Sequence, residues 1–118
     1  MVERLPPEVE AKYTKYVKVR DALTAVSQER VTIENTLGEI EDLLEKIGKL
    51  SQEVELYKMV GYVMVKSSRD EIVGELKNRK EELELRLKAI KAQEDHLKRE
   101  LERLTGELRS LMGSGGAG

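Results

Sequence analysis

A mainly α fold is predicted: a long antiparallel two-helix coiled coil with one β-hairpin at its closed end. Three observations carry it. Leucine, isoleucine and valine recur at heptad spacing through both halves of the chain. Between those halves the run Leu56 to Val65 is apolar, rich in valine, tyrosine and methionine, and off the helical period. Charged residues make up 37% of the 118 positions and aromatics only 3%, all tyrosine, so a compact core built on large rings is excluded.

The first helix is expected over 8–50. Leu5-Pro6-Pro7-Glu8 is a start signal, because a proline in the first turn forgoes only an N–H that would be unpaired there, and Glu8 and Glu10 suit the positive helix end. Its seam takes Val9, Tyr16, Leu23, Arg30, Leu37 and Leu44 at a positions, and Lys12, Val19, Val26, Ile33, Ile40 and Ile47 at d. Gly38 and Gly48 each weaken the helix by about 1 kcal/mol relative to alanine, and Gly48 with Ser51 marks its end.

The second helix is expected over 69–112. Ser67 with Asp70, and Ser68 with Glu71, both have capping-box spacing, and Ser68 is the preferred cap. Apolar d positions follow at Leu76, Leu83, Ile90, Leu97, Leu104 and Leu111; the a positions are Val73, Lys80, Leu87, Glu94, Leu101 and Leu108. Pairing Tyr16 with Leu104, Leu23 with Leu97, Leu37 with Leu83 and Leu44 with Leu76 keeps a single antiparallel register and places the fold-back at residue 60.

In that register Arg30 and Glu94 occupy adjacent layers. Either both snorkel to water from a thin seam, or they pair and fix register at some cost in stability, in which case Arg30→Leu would raise the melting temperature. Lys80 faces Ile40 in the same way.

The β-hairpin is expected over 54–66, with strands 54–59 and 62–66 and Gly61 supplying the positive φ of a tight turn. Tyr57 and Met59 fall on one face of the first strand, Leu56, Lys58 and Val60 on the other. The second strand divides into Val63 and Val65 against Tyr62, Met64 and Lys66. Both faces are mostly apolar, and a lone two-stranded hairpin is marginal in water with open edges. Leu56, Tyr57, Met59, Val60, Gly61, Tyr62, Val63, Met64 and Val65 are therefore the expected oligomerisation segment, several hairpins closing into a barrel hub.

Composition excludes several functions. A net charge of −2 with both signs interspersed gives no basic footprint for nucleic acid or an anionic membrane. The absence of cysteine removes disulfides and thiolate metal sites. No apolar run approaches the ~20 residues of a bilayer span, so a soluble, cytoplasmic protein is expected. His96, the single histidine, sits at a solvated c position. With no phosphate loop and no nucleophile–base pair, neither an enzyme nor a cofactor is expected.

Tyr57-Lys58-Met59-Val60-Gly61, then Val63-Met64-Val65-Lys66, then Glu75-Leu76-Lys77 with Arg79-Lys80-Glu81, Leu83 and Glu84, resemble the β-class subunit of prefoldin in its archaeal form. Leu5-Pro6-Pro7-Glu8 and Gln93-Glu94 with Leu97 are similar to it too, so the resemblance covers nearly the whole chain. Gly74, early in the second helix, and the Gly-rich tail 113–118, read as flexible, depart from the pattern. The resemblance implies a hexamer of two α-class and four β-class subunits, each β subunit giving one hairpin to a central double barrel. It also implies capture of unfolded polypeptides between coiled-coil tips and their delivery to a group II chaperonin without ATP hydrolysis.

The residues support such a role. Where the open ends of the two helices meet, Val2, Leu5, Val9, Leu108, Leu111 and Met112 offer apolar surface, and methionine adapts to varied clients. Val9, Leu108 and Leu111 also fit as the last seam layers, whereas Val2, Leu5 and Met112 lie beyond the regular seam. The competing reading is a structural coiled-coil spacer or scaffold without chaperone activity.

Overall fold

The computed structural model describes residues 5–116, with side chains described over 5–113. Helix α1 spans Pro7–Lys49, strands β1 and β2 span Leu56–Val60 and Val63–Ser67, and helix α2 spans Arg69–Gly116. The described chain falls into two compact units. One takes in the residues up to Arg30 and from Ala89 onward; the other is Val31–Lys88.

Local chemistry sets the helix ends. Pro7 opens α1 where its missing N–H is harmless, and the Glu10 N–H donates to the Pro6 carbonyl at 3.0 Å. Glu8 and Glu10 lie in the first turn, Lys46 and Lys49 in the last, each complementing the helix dipole. Ser68 caps α2, its Oγ accepting from the Glu71 N–H at 3.1 Å. The Glu71 carboxylate does not return the bond to the cap. It accepts instead from the Ser67 hydroxyl at 2.6 Å, leaving the capping box half-formed. The backbone of α2 stays helical to Gly116, four residues past the expected end at 112, and residues 117–118 of the tail lie outside the described residues.

Within the first unit, the two helices pair antiparallel through Val9, Val26, Ile90 and Leu104, all buried, with Ile90 and Leu104 only 1% exposed. Lys12 and Lys15 of α1 reach Glu107 and Glu100 of α2 at 3.0 and 3.6 Å. Within the second unit, Ile33, Leu37, Ile40, Ile47 and Leu83 are buried, and Lys80 of α2 reaches Glu41 of α1 at 3.7 Å. Lys80 thus leaves its seam position for the polar rim, as a long cation on a thin interface does.

The hairpin pairs Leu56 with Ser67, Tyr57 with Lys66, Lys58 with Val65, Met59 with Met64 and Val60 with Val63. Gly61 has φ +61° and no other described residue has positive φ, so the two-residue Gly61-Tyr62 turn has the pattern of a type II′ turn. Each strand starts one or two residues later than its expected bound. Before β1, Val54 is held in a turn by its N–H donating to the Ser51 carbonyl at 3.2 Å. At the base of the hairpin the Arg69 guanidinium donates to the Leu50 and Ser51 carbonyls at 2.8 and 2.9 Å. It thereby satisfies acceptors that the end of α1 leaves open.

Candidate functional site

A layer of the first unit with a buried carboxylate is built by α1 and α2 together. Arg30 Nε donates to both carboxylate oxygens of Glu94, 2.9 Å each, and the Ser27 hydroxyl donates to Glu94 Oε2 at 2.6 Å. Glu94 is 5% exposed, so it does not snorkel. The Ser27 hydrogen bond, followed by the Arg30 guanidinium, holds its carboxyl below the ordinary value of 4.5. The sequence left open whether Arg30 and Glu94 snorkel or pair, and it gave no sign of Ser27, one helical turn from Arg30 on the same face.

Farther along the same unit the seam has two unlike sides. On the g side, Lys15 meets Glu100, and Glu107 meets Lys12 and Arg103. Lys12 foremost, with Arg103, holds the Glu107 carboxyl low; Arg103 foremost does the same for Glu100. On the e side the pattern changes. Elsewhere in the helices the e positions are mostly charged: Arg20, Glu34 and Glu41 in α1; Lys77, Glu84, Lys91 and Lys98 in α2. Here they are Tyr13, Thr105 and Met112. With no ion pair to close it, this side opens into a groove of about 660 Å³ lined by Leu5, Val9, Tyr13, Tyr16, Leu108 and Met112, with Thr105, Arg109 and Gly113.

Leu5 and Met112 are 45% and 59% exposed, while Val9 is buried and forms both a seam layer and the groove floor. Tyr13 and Tyr16 stack with ring centroids 6.2 Å apart and planes inclined at 21°, giving the α1 wall an aromatic ledge. The groove therefore brings together Leu5, Val9, Leu108 and Met112 of the expected set. Leu111 is half-buried but not part of the lining, and Val2 lies outside the described residues. Tyr13 and Arg109 were missed, although for Tyr13 an aromatic residue in a mostly charged set of e positions was the available signal.

In the second unit, the hairpin presents two apolar faces. Leu56, Lys58, Val60, Val63 and Val65 share one; Tyr57, Met59 and Met64, with Lys66, share the other. Tyr62 at the turn is fully exposed, and Met59 and Met64 are 63% and 64% exposed. Lys58 ties its face to α2, donating to Glu75 at 2.7 Å and Glu71 at 2.9 Å. Glu75 first, then Glu71, holds the Lys58 ammonium above its ordinary 10.5, while Ser67 and Lys58 hold Glu71 below 4.5. Across the opposite face Glu55 accepts from the Tyr57 hydroxyl and from Lys66.

Among the described residues no group of three or more His, Asp or Glu is placed to hold a metal ion, and no helix is long and apolar enough to cross a membrane.

A family model described as "Prefoldin subunit" matches residues 10–115. The chain is 39% identical over 112 residues to the prefoldin subunit beta of Saccharolobus islandicus strain L.S.2.15, covering 95% of this chain and 89% of that protein. It is 34% identical over 122 residues to the prefoldin subunit beta of Sulfurisphaera tokodaii, covering 99% and 98%. The crystal structure of the prefoldin beta subunit from Thermococcus strain KS-1 matches with a TM-score of 0.82 at 33% identity, over 93% of this chain and 96% of that one. Two long helices joined by a β-hairpin, together with this extent of similarity, place the chain in the prefoldin subunit family, in its β class.

Proposed function

We propose that this chain is a β-class subunit of a cytoplasmic chaperone of two α-class and four β-class subunits, which captures unfolded polypeptides and delivers them to a group II chaperonin without nucleotide or cofactor. The observation that carries the reading is the groove at Leu5, Val9, Tyr13, Leu108 and Met112. A seam closed by ion pairs on one side opens on the other into apolar surface at the helix ends. Its tyrosines and Met112 suit side chains of varied shape. One such groove binds weakly; several grooves of one assembly on one chain add avidity.

The hairpin has a different task. Apolar on both faces and open at both edges, it supports joining a hub in which neighbouring hairpins pair and bury the Met59 and Met64 face. The test is native mass spectrometry of the chain with and without an α-class subunit, followed by light scattering of a denatured test protein in the absence of nucleotide. A hexamer that suppresses aggregation is expected. A dimer indifferent to the α-class subunit, with no suppression, would mark a scaffold and contradict the proposal.

A further inference from the structure

Arg109 is the charged side chain in the groove lining. The neighbouring cations Lys12, Lys15 and Arg103 all meet carboxylates of the g side, whereas among the described residues Arg109 meets none. It is exposed, one residue along from Leu108 and one turn from Met112. The groove therefore combines an aromatic ledge on α1 with an unspent guanidinium on α2.

We propose that the groove selects, within unfolded chains, segments in which an aromatic or long aliphatic side chain stands beside a carboxylate. This rests on the client-binding reading above and adds a charge preference to it. The apolar side chain enters between Tyr13, Leu108 and Met112, and the adjoining carboxylate accepts from the Arg109 guanidinium, a planar fork suited to it. A lysine in place of that carboxylate meets a like charge at the rim.

The test measures fluorescence anisotropy of the full-length chain with three labelled, unstructured peptides of equal length, each carrying phenylalanines flanked by Asp, Asn or Lys. At low salt the Asp peptide is expected to bind about fivefold more tightly than the Lys peptide, a difference that shrinks as salt is added. Arg109→Gln should remove the preference and Arg109→Glu should reverse it, with circular dichroism confirming that the helices persist. Equal affinity for the Asp and Lys peptides, or an order unchanged by Arg109→Glu, overturns the charge preference; if the Asn peptide still binds, the client-binding reading stands. Binding of none of the three overturns both. If Arg109→Glu changes the mass of the chain itself by light scattering, a second copy occupies the groove and the proposal is wrong.

Discussion

Glu94 accepts hydrogen bonds from Ser27 and Arg30 at 5% exposure, and that geometry changes what Arg30→Leu should do. Removing Arg30 alone leaves the buried carboxylate with the Ser27 hydroxyl and the exposed Lys98 ammonium at 3.9 Å, a weaker set of partners, which destabilises. The melting temperature should therefore fall for Arg30→Leu and recover, or exceed the wild type, for Arg30→Leu with Glu94→Leu, the double variant losing the feature that singles out one register. A rise for the single variant would mean that the pair contributes only a desolvation cost. Glu94 also carries a pH signature. Its carboxyl is held below 4.5 in the folded chain, so its stabilisation is fully present above that value and is lost as pH falls through the folded-state value. Thermal melts of wild type and Glu94→Gln should differ at pH 7 and converge as pH drops below 4.5; a gap that widens on acidification would contradict this. In the same unit Leu104, 1% exposed, should cost about 2–5 kcal/mol on truncation to alanine in a denaturant titration.

At the scale of elements, the hairpin is the part whose surroundings the isolated chain does not provide. Lys58, Glu71 and Glu75 fasten it to the start of α2, and Arg69 fastens its base to the end of α1, so it is held in place before any partner arrives. Met59 and Met64 are cross-strand partners on the exposed face. Replacing both with lysine should leave helical circular dichroism intact and abolish the proposed hexamer in native mass spectrometry, because two like charges without counterions cannot be buried in a hub. A hexamer of normal mass would show that this face stays in water. The Gly61 turn needs no assembly to explain it: φ of +61° is open to glycine and costly for a β-branched side chain.

For the molecule as a whole, the residues that repeat were the legible ones. The heptads of Val9 to Ile47 and Val73 to Leu111 predicted both helices, their pairing and the fold-back, because burial at a and d depends only on spacing. Gly61 and Ser68 were legible because turn and cap chemistry are local. What the spacing did not reveal depends on what the fold brings within reach of a side chain and on how far the backbone stays helical. Lys58, Arg69 and Ser27 act on groups that the fold brings near, and the last residues of α2 gave no signal because the apolar stripe stops at Met112 while the backbone remains helical to Gly116. The groove falls between the two cases: Leu5 and Met112 stood out as apolar residues beyond the seam, whereas Tyr13 mattered only once its e position was compared with the charged e positions elsewhere.

The proposed division of labour gives clients to the groove and the assembly to the hairpin. Its most direct test replaces the exposed lining residues together, Leu5→Ser, Tyr13→Ser and Met112→Ser, in the chain assembled with an α-class subunit. Suppression of aggregation of a denatured protein is then measured by light scattering without nucleotide. The expected result is a hexamer of unchanged mass that no longer suppresses aggregation; suppression equal to that of the wild-type hexamer would contradict the account.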